Sequence, residues 1–218
     1  MYCRLLTGPM KAGKTRRLAN EIEKYILAKK NVLFVRPVKD TREENDMSHN
    51  SFISQYFNKL LQSEYVTTIE IKNIYDIFPG KALTAAVWHD KDFNAVFIDE
   101  FFMIEGWDKE FFFHWNWEME RGRKEIPLII AGISNSWNGD TFKATSIIYP
   151  FMDSIEREHA VCECCGKPAN YHFFNKGAEG WGASDSMVDN EHNWFTCMCF
   201  DCYTRKCGGK PISVDIKE

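Results

Sequence analysis

The octet GPMKAGKT at residues 8–15 fills every fixed position of the pattern G-x-x-x-x-G-K-[ST], with Gly8, Gly13, Lys14 and Thr15. A bare turn can match such a pattern, so the flanks decide. YCRLLTG before it reads as a short strand. KTRRLANEIEKYILAKKN after it reads as a helix, with Leu18, Ile22, Tyr25 and Ile26 at three- and four-residue steps and Asn31 as its stop. NVLFVR is an apolar run of strand length, closed by Pro37. Strand, glycine turn, helix and strand form the setting of a phosphate-binding loop. Backbone N–H groups and the helix N-terminus face the phosphate oxygens, Lys14 reaches the β and γ phosphates, and Thr15 offers a hydroxyl to Mg²⁺. Gly8, Pro9, Met10, Lys11, Ala12, Gly13, Lys14 and Thr15 are therefore the candidate nucleotide-binding residues.

A second run, NAVFIDE at residues 94–100, reads as a buried strand ending in two carboxylates. At the carboxyl edge of a parallel sheet, Asp99 can hold a water of Mg²⁺ and Glu100 can act on a nucleophile. A solvated acidic strand end is the plainer alternative, and the complete phosphate loop weighs against it. EYVTTIEI (64–71) and IPLIIAG (126–132) bracket this strand, and GWDKEFFFHWNWEMERGR reads as a helix carrying Phe111, Phe112, Phe113, Trp115 and Trp117. Aromatics at these spacings suit a core or an oligomer contact better than a ligand box. The alternation predicts an α/β fold, a mostly parallel sheet with helices on both faces.

Bulk composition narrows the rest. The chain has 218 residues, 44% hydrophobic and 15% aromatic, enough to fill a core. A formal net charge of −4 argues against a general nucleic-acid or membrane-surface binder. No apolar stretch is long enough to span a membrane, and MYCRLLTGPM lacks a signal-peptide pattern, so a cytoplasmic protein is expected. Seven of the eight cysteines fall late in the chain, pointing to a metal rather than to disulfides. Cys162/Cys165 and Cys199/Cys202 are two C-x-x-C pairs, four thiolates for one structural, tetrahedral Zn²⁺ with no open position for water. Cys164, Cys197 and Cys207 leave the register open; the x-x spacer in both pairs favours the four named. The composition changes near residue 153, dividing the chain into a phosphate-loop unit at 1–152 and a cysteine unit at 153–218.

Together these blocks resemble the type II, zinc-containing thymidine kinases. GPMKAGKT is similar to the family's G-P-M-x-S-G-K-T, and RPVKDTREENDMSHNS to its K-P-x-x-D-T-R followed by S-H-D. VFIDEFFMI is similar to I-D-E-x-Q-F, and AVCECC with FTCMCFDC to A-V-C-x-x-C and Y-x-x-x-C-R-x-C. The resemblance implies a RecA-like kinase domain followed by a zinc domain whose lasso loop, here about 171–195, closes over the nucleoside. It implies ATP-dependent phosphorylation of the 5′-hydroxyl of thymidine or a related pyrimidine deoxynucleoside, as in nucleotide salvage for DNA synthesis. Glu100 matches the general base, Asp99 the metal support and Met10 a pocket methionine, while Ile133 and Trp137 match positions around the base. Arg42 reads equally as a phosphate-side cation or a structural ion pair. A homo-oligomer is implied, with a tetramer favoured, using the aromatic helix.

The departures cluster in base recognition. Phe102 stands where the family has glutamine, followed by Met103 in place of phenylalanine, and Ser48-His49-Asn50 replaces S-H-D. Phe195 replaces a tyrosine, Phe200 an arginine, and His172 the threonine set against the thymine ring. These changes predict a pyrimidine preference shifted from the family norm, with thymidine accepted less well than a C5-polar or C5-unsubstituted analogue and His172 dominating selectivity. The alternatives are a kinase for a different or C5-modified pyrimidine deoxynucleoside, and a non-catalytic phosphate-loop protein using a zinc ribbon on nucleic acid. The acidic balance and the retained Glu100 speak against the latter.

Overall fold

A computed structural model describes residues 2–38, 52–78, 88, 91–122, 124–137, 139–176 and 193–206. Arg42, Ser48, His49, Asn50, Cys207 and the middle of the expected lasso lie outside the described residues.

Six strands form one parallel sheet: β1 (Cys3–Thr7), β2 (Val32–Pro37), β3 (Val66–Ile71), β4 (Ala95–Ile98), β5 (Leu128–Gly132) and β6 (Ser154–Arg157). Their spatial order is β3-β2-β4-β5-β1-β6. The central runs are apolar at successive positions because both faces are covered. Leu5, Leu33, Val35, Val96, Ile98, Leu128 and Ile130 face one core. Leu6, Val32, Phe34, Ala95, Phe97, Ile129 and Ala131 face the other.

Helix α1 (Lys14–Leu27) buries Leu18, Ala19 and Ile22 on that second face, where α2 (Phe52–Leu61) adds Phe57, edge-on to Phe34 at 5.3 Å. Truncating Leu18 to alanine there should cost about 2–5 kcal/mol. The helix ends at Leu27, short of Asn31. Lys29 adopts a left-handed conformation (φ 55°), and the N–H groups of Lys29 and Lys30 bond back to the oxygens of Ile26 and Tyr25. This is a Schellman closure on a lysine instead of the usual glycine.

The opposite face carries α3 (Lys109–Gly122) and α4 (Lys143–Ile148). The aromatic helix divides as its period dictates. Phe111, Phe112 and Trp115 are buried, while Phe113 and Trp117 are 62% and 50% exposed.

The chain then builds a smaller unit from two hairpins and a helix. These are β7 (Ala160–Val161) with β8 (Pro168–Ala169), β9 (Tyr171–Lys176) with β10 (Asn193–Met198), and α5 (Phe200–Lys206). Because β6 pairs with β1, the large sheet runs through Arg157, past the compositional change near residue 153. In β6 it is exposure that alternates, with Ile155 and Arg157 outward; three of its four residues are polar, and that polarity resembles a linker.

Candidate active site

β1 and β5 are neighbours, yet their following helices leave to opposite faces of the sheet. Such a switch point opens a crevice at the carboxyl ends of the strands, which is where parallel α/β sheets bind ligands. The residues 8–15 loop leaves β1 at one side of this crevice, and the segment 133–137 leaves β5 at the other. Gly8 is confined here by close approach: a Cβ would meet the Glu158 carbonyl oxygen at 2.4 Å. Lys11 (φ 59°) and Gly13 (φ 85°) turn the loop into α1. Its first N–H groups point back toward the crevice, giving a positive helix end for an anion. Lys14 is buried, and its ammonium donates to the oxygens of Gly8 at 3.1 Å and Pro9 at 2.7 Å. Thr15 is half-buried at the same helix end.

Asp99 and Glu100 do not lie within β4. The strand ends at Ile98, because Glu100 takes a left-handed conformation (φ 49°, ψ 46°) and a 3₁₀ turn, Phe101–Met103, follows. A non-glycine residue held there is strained, a condition that concentrates at functional sites. The Asp99 N–H donates to Val35 O at 2.9 Å, and its Oδ1 accepts the Glu100 N–H at 3.0 Å. Both carboxylate residues are buried. Only β5 separates β4 from β1, so the strand axes leading to the loop and to the carboxylates stand roughly 10 Å apart, two strand spacings. Thr15 and Asp99 contribute oxygen donors of the kind Mg²⁺ prefers.

The β9–β10 hairpin has two faces because side chains alternate along each strand. Tyr171 stacks on Tyr203 of α5 at 5.2 Å, and Phe173 lies edge-on to the same ring. On the other face Phe174 pairs with Phe195 and His172 with Cys197. Trp137 sits 5.6 Å from Phe174, Phe174 5.3 Å from Phe195, and Phe195 6.3 Å from His172. This face thus brings Trp137, Phe195 and His172 together, with Phe174, which sequence pattern did not single out. The two-residue period of a strand, which sets Phe174 on the face of His172, was the available signal. Ile133 is buried just past β5, while Phe102 stacks on Phe142 at 4.8 Å beside a half-buried Met103. Phe102 also packs against the core on the α3 face of the sheet.

His172 does something its position in the sequence did not announce. Its Nε2 accepts the Met10 N–H at 2.6 Å. Burial, helped by the Lys14 charge, pushes its pKa down to about 4, so the ring is neutral near neutral pH. An unfolded histidine titrates near 6.5, so between these values the unfolded chain binds the extra proton. The stabilisation is present above about pH 6.5 and lost as pH falls toward 4. In urea unfolding, wild type should lose about 2 kcal/mol more than His172→Gln between pH 8 and pH 5. Equal losses would remove the buried neutral ring from the account.

Cys162, Cys165, Cys199 and Cys202 have their sulfurs all within 4.8 Å of one another. Tetrahedral ligation at a Zn–S distance of ~2.3 Å needs sulfurs roughly 3.8 Å apart, and Cys165 and Cys199 stand at 3.6 Å. The turn closes through Gly166 (φ 75°), whose N–H donates to Cys162 O at 2.8 Å. The thiols do not titrate alike. Backbone N–H groups, that of Cys199 first, bring Cys162 down to about 6, whereas bonding to the Cys165 and Cys199 sulfurs drives Cys202 up to about 12. Four thiolates this close need a cation, so the donor set fits zinc. Cys164 is exposed, Cys3 lies in the sheet core, and Cys197 bonds Met10 O at 3.0 Å. Among the described residues the register is therefore the one the x-x spacers favoured.

A family model described as thymidine kinase matches residues 1–203. The thymidine kinase of Mesoplasma florum is 26% identical over 205 residues, covering 93% of this chain and 91% of that protein. That of Choristoneura fumiferana entomopoxvirus is 26% identical over 181 residues, 81% of this chain and 85% of its own. That of Thermococcus kodakarensis is 29% identical over 175 residues, 77% and 76%.

Proposed function

The chain belongs to the thymidine kinase family and is a kinase, and from that premise we propose that it transfers the γ-phosphoryl group of ATP to the 5′-hydroxyl of thymidine or a closely related pyrimidine deoxynucleoside. The observation that carries this reading is the placement of the phosphate loop and the Asp99–Glu100 pair at one sheet edge, a single strand apart. The 5′-oxygen attacks the γ-phosphorus, the bond to the β,γ-bridging oxygen breaks, ADP leaves, and Glu100 takes the hydroxyl proton. Lys14 and the N–H groups of the loop hold the phosphates. Thr15 and Asp99 would hold Mg²⁺, which supplies charge neutralisation on the phosphate oxygens. Catalysis is mainly positioning and electrostatics.

Trp137, Phe174 and Phe195 offer an apolar wall for the base. With His172 Nε2 given to Met10, that wall suits a C5 methyl, worth about 1–3 kcal/mol in an apolar pocket. Phosphate transfer from labelled ATP, with and without Mg²⁺, is measured on thymidine, deoxyuridine, 5-hydroxymethyl-deoxyuridine and deoxycytidine. Thymidine is expected to lead in kcat/KM. A C5-polar leader would return His172 to the base pocket, and no transfer to any of the four would sink the kinase reading. Filter binding to DNA and RNA, run alongside, tests the nucleic-acid alternative.

The four-cysteine cluster supports one structural Zn²⁺ per chain, in a unit that frames the nucleoside pocket. A cytoplasmic location accompanies it, since free thiolates suit a reducing compartment. Among the described residues no helix is long and apolar enough to cross a membrane. The exposed Phe113 and Trp117, with Arg121 over the Trp117 ring at 5.0 Å, support a homo-oligomer, with a tetramer favoured. Light scattering on Phe113→Glu/Trp117→Glu should give a smaller assembly with the fold intact, because neither ring is in the core. A wild type that is already monomeric would end this idea.

A further inference from the structure

Met10, at the apex of the phosphate loop, has both of its backbone groups taken by one cross-strand pair of the β9–β10 hairpin. Its N–H donates to His172 Nε2 at 2.6 Å, and its carbonyl oxygen accepts from Cys197 Sγ at 3.0 Å. His172 and Cys197 are directly opposed in the antiparallel register, so the two arms reach the loop side by side. Both are buried. The next residue is held as well: Lys11 Nζ donates to Phe195 O at 3.3 Å and pairs with Glu163 Oε1 at 3.1 Å. Glu163 in turn accepts the Cys197 N–H at 3.0 Å. Met10 and Ala12 pack on the apolar cluster of the cysteine unit. The stretch that presents N–H groups to phosphates is thus seated on the hairpin that carries Phe174 and Phe195.

We propose that the His172–Cys197 pair is a clamp that sets the phosphate loop for ATP, and that His172 is a positioning residue for the triphosphate rather than a selector of the base. The proposal rests on the kinase reading above. It gives the hairpin a second role, because any shift of its strands on nucleoside binding is passed to the Met10 peptide and through it to the loop that holds the phosphates. Coupling of this kind is reciprocal: nucleoside changes nucleotide affinity by the same factor that nucleotide changes nucleoside affinity.

The test is equilibrium binding of Mg²⁺ with the non-hydrolysable ATP analogue AMP-PNP, and separately of thymidine, to the full chain. His172→Leu leaves the part-buried Met10 N–H without its acceptor, so AMP-PNP affinity should fall about 10-fold or more. Thymidine affinity should stay within about 2-fold. His172→Gln restores an acceptor oxygen near the same place and should bring AMP-PNP affinity back to within about 2-fold of wild type. Rescue by glutamine separates an acceptor role from mere filling of space. Should His172→Leu not fold, Cys197→Ala removes the other, weaker arm and should cost about 3–5-fold in AMP-PNP affinity with thymidine again unchanged. Unchanged AMP-PNP affinity in these variants, or a loss confined to thymidine, overturns the clamp. A wild type that binds AMP-PNP and no nucleoside would instead remove the kinase reading and leave the AMP-PNP contrast interpretable.

Discussion

Glu100→Gln should retain the fold and bind ATP with near wild-type affinity while losing about 10²–10⁴-fold in kcat, the range of a general-base contribution. The substitution keeps size and shape while removing the negative charge and with it the ability to take a proton. The backbone at Glu100 is held independently of the side chain's charge. Its N–H is fixed on Asp99 Oδ1 at 3.0 Å, its carbonyl accepts from Met103 N–H at 2.9 Å, and its left-handed conformation starts the Phe101–Met103 turn. Glutamine adopts that conformation at a similar cost, so the loss should appear in turnover and not in melting temperature. Lys14→Ala makes the contrast. It removes a buried ammonium from the loop itself, so the KM for ATP should rise together with a fall in kcat. Steady-state kinetics on the best nucleoside of the panel, with AMP-PNP binding beside them, separates the two variants. Near wild-type turnover by Glu100→Gln would take the base assignment away.

The parts legible in the sequence are those whose chemistry repeats at short range. The strand–loop–helix unit around residues 8–15 announces itself because the turn needs glycine, the helix needs its period, and the phosphate needs a cation in one stretch of chain. The carboxylates after β4 stood out for the same reason, although the strand ends two residues earlier than the run suggested. A buried apolar run does not say where its last residue turns, and Glu100 turned into the left-handed region. Two C-x-x-C pairs were enough to choose four sulfurs out of eight cysteines, and the close approach of Cys165 and Cys199 agrees with the choice.

Contacts between residues far apart in the chain were not legible. His172 and Met10 are 162 positions apart, and no local pattern says that a ring nitrogen on a hairpin will meet a loop amide. Residue matching to a family sent His172 to the base, because the threonine it replaces is defined by that contact. A larger ring with an acceptor at its tip also meets a part-buried donor, the Met10 N–H, and leaving that donor unpaired would cost about 1–3 kcal/mol. β6 was missed for a related reason: three of its four residues are polar, as an edge strand allows, so the run looks like the start of something new.

Loss of any one cysteine of the cluster should reach beyond the metal. Purified wild type is expected to hold one zinc per chain, and Cys162→Ser, Cys165→Ser, Cys199→Ser and Cys202→Ser should each lower it to a small fraction of that. Cys3→Ser, Cys164→Ser and Cys207→Ser should keep it, since Cys3 lies in the sheet core and Cys164 is not among the four converging sulfurs, while Cys207 falls outside the spacing that the C-x-x-C pairs define. Thiolate–zinc bonds of this type carry about 10–16 kcal/mol of apparent binding free energy in small zinc modules, far more than such a unit can replace from its own core. Here that core is small, with Ala160, Ala169, Met198 and Tyr203 around the cysteines themselves. Without the metal the two knuckles should part, and Cys199 lies two residues from Cys197 on the same chain, where Cys197 grips Met10. The ligand variants should therefore lose AMP-PNP affinity along with zinc, although no cysteine of the cluster belongs to the phosphate loop. Metal analysis by mass spectrometry, paired with AMP-PNP binding on the same preparations, reads both quantities. Wild type free of zinc, or full zinc content in all four variants, would rule out the site. Zinc lost with AMP-PNP affinity untouched would keep the metal and cut its link to the loop.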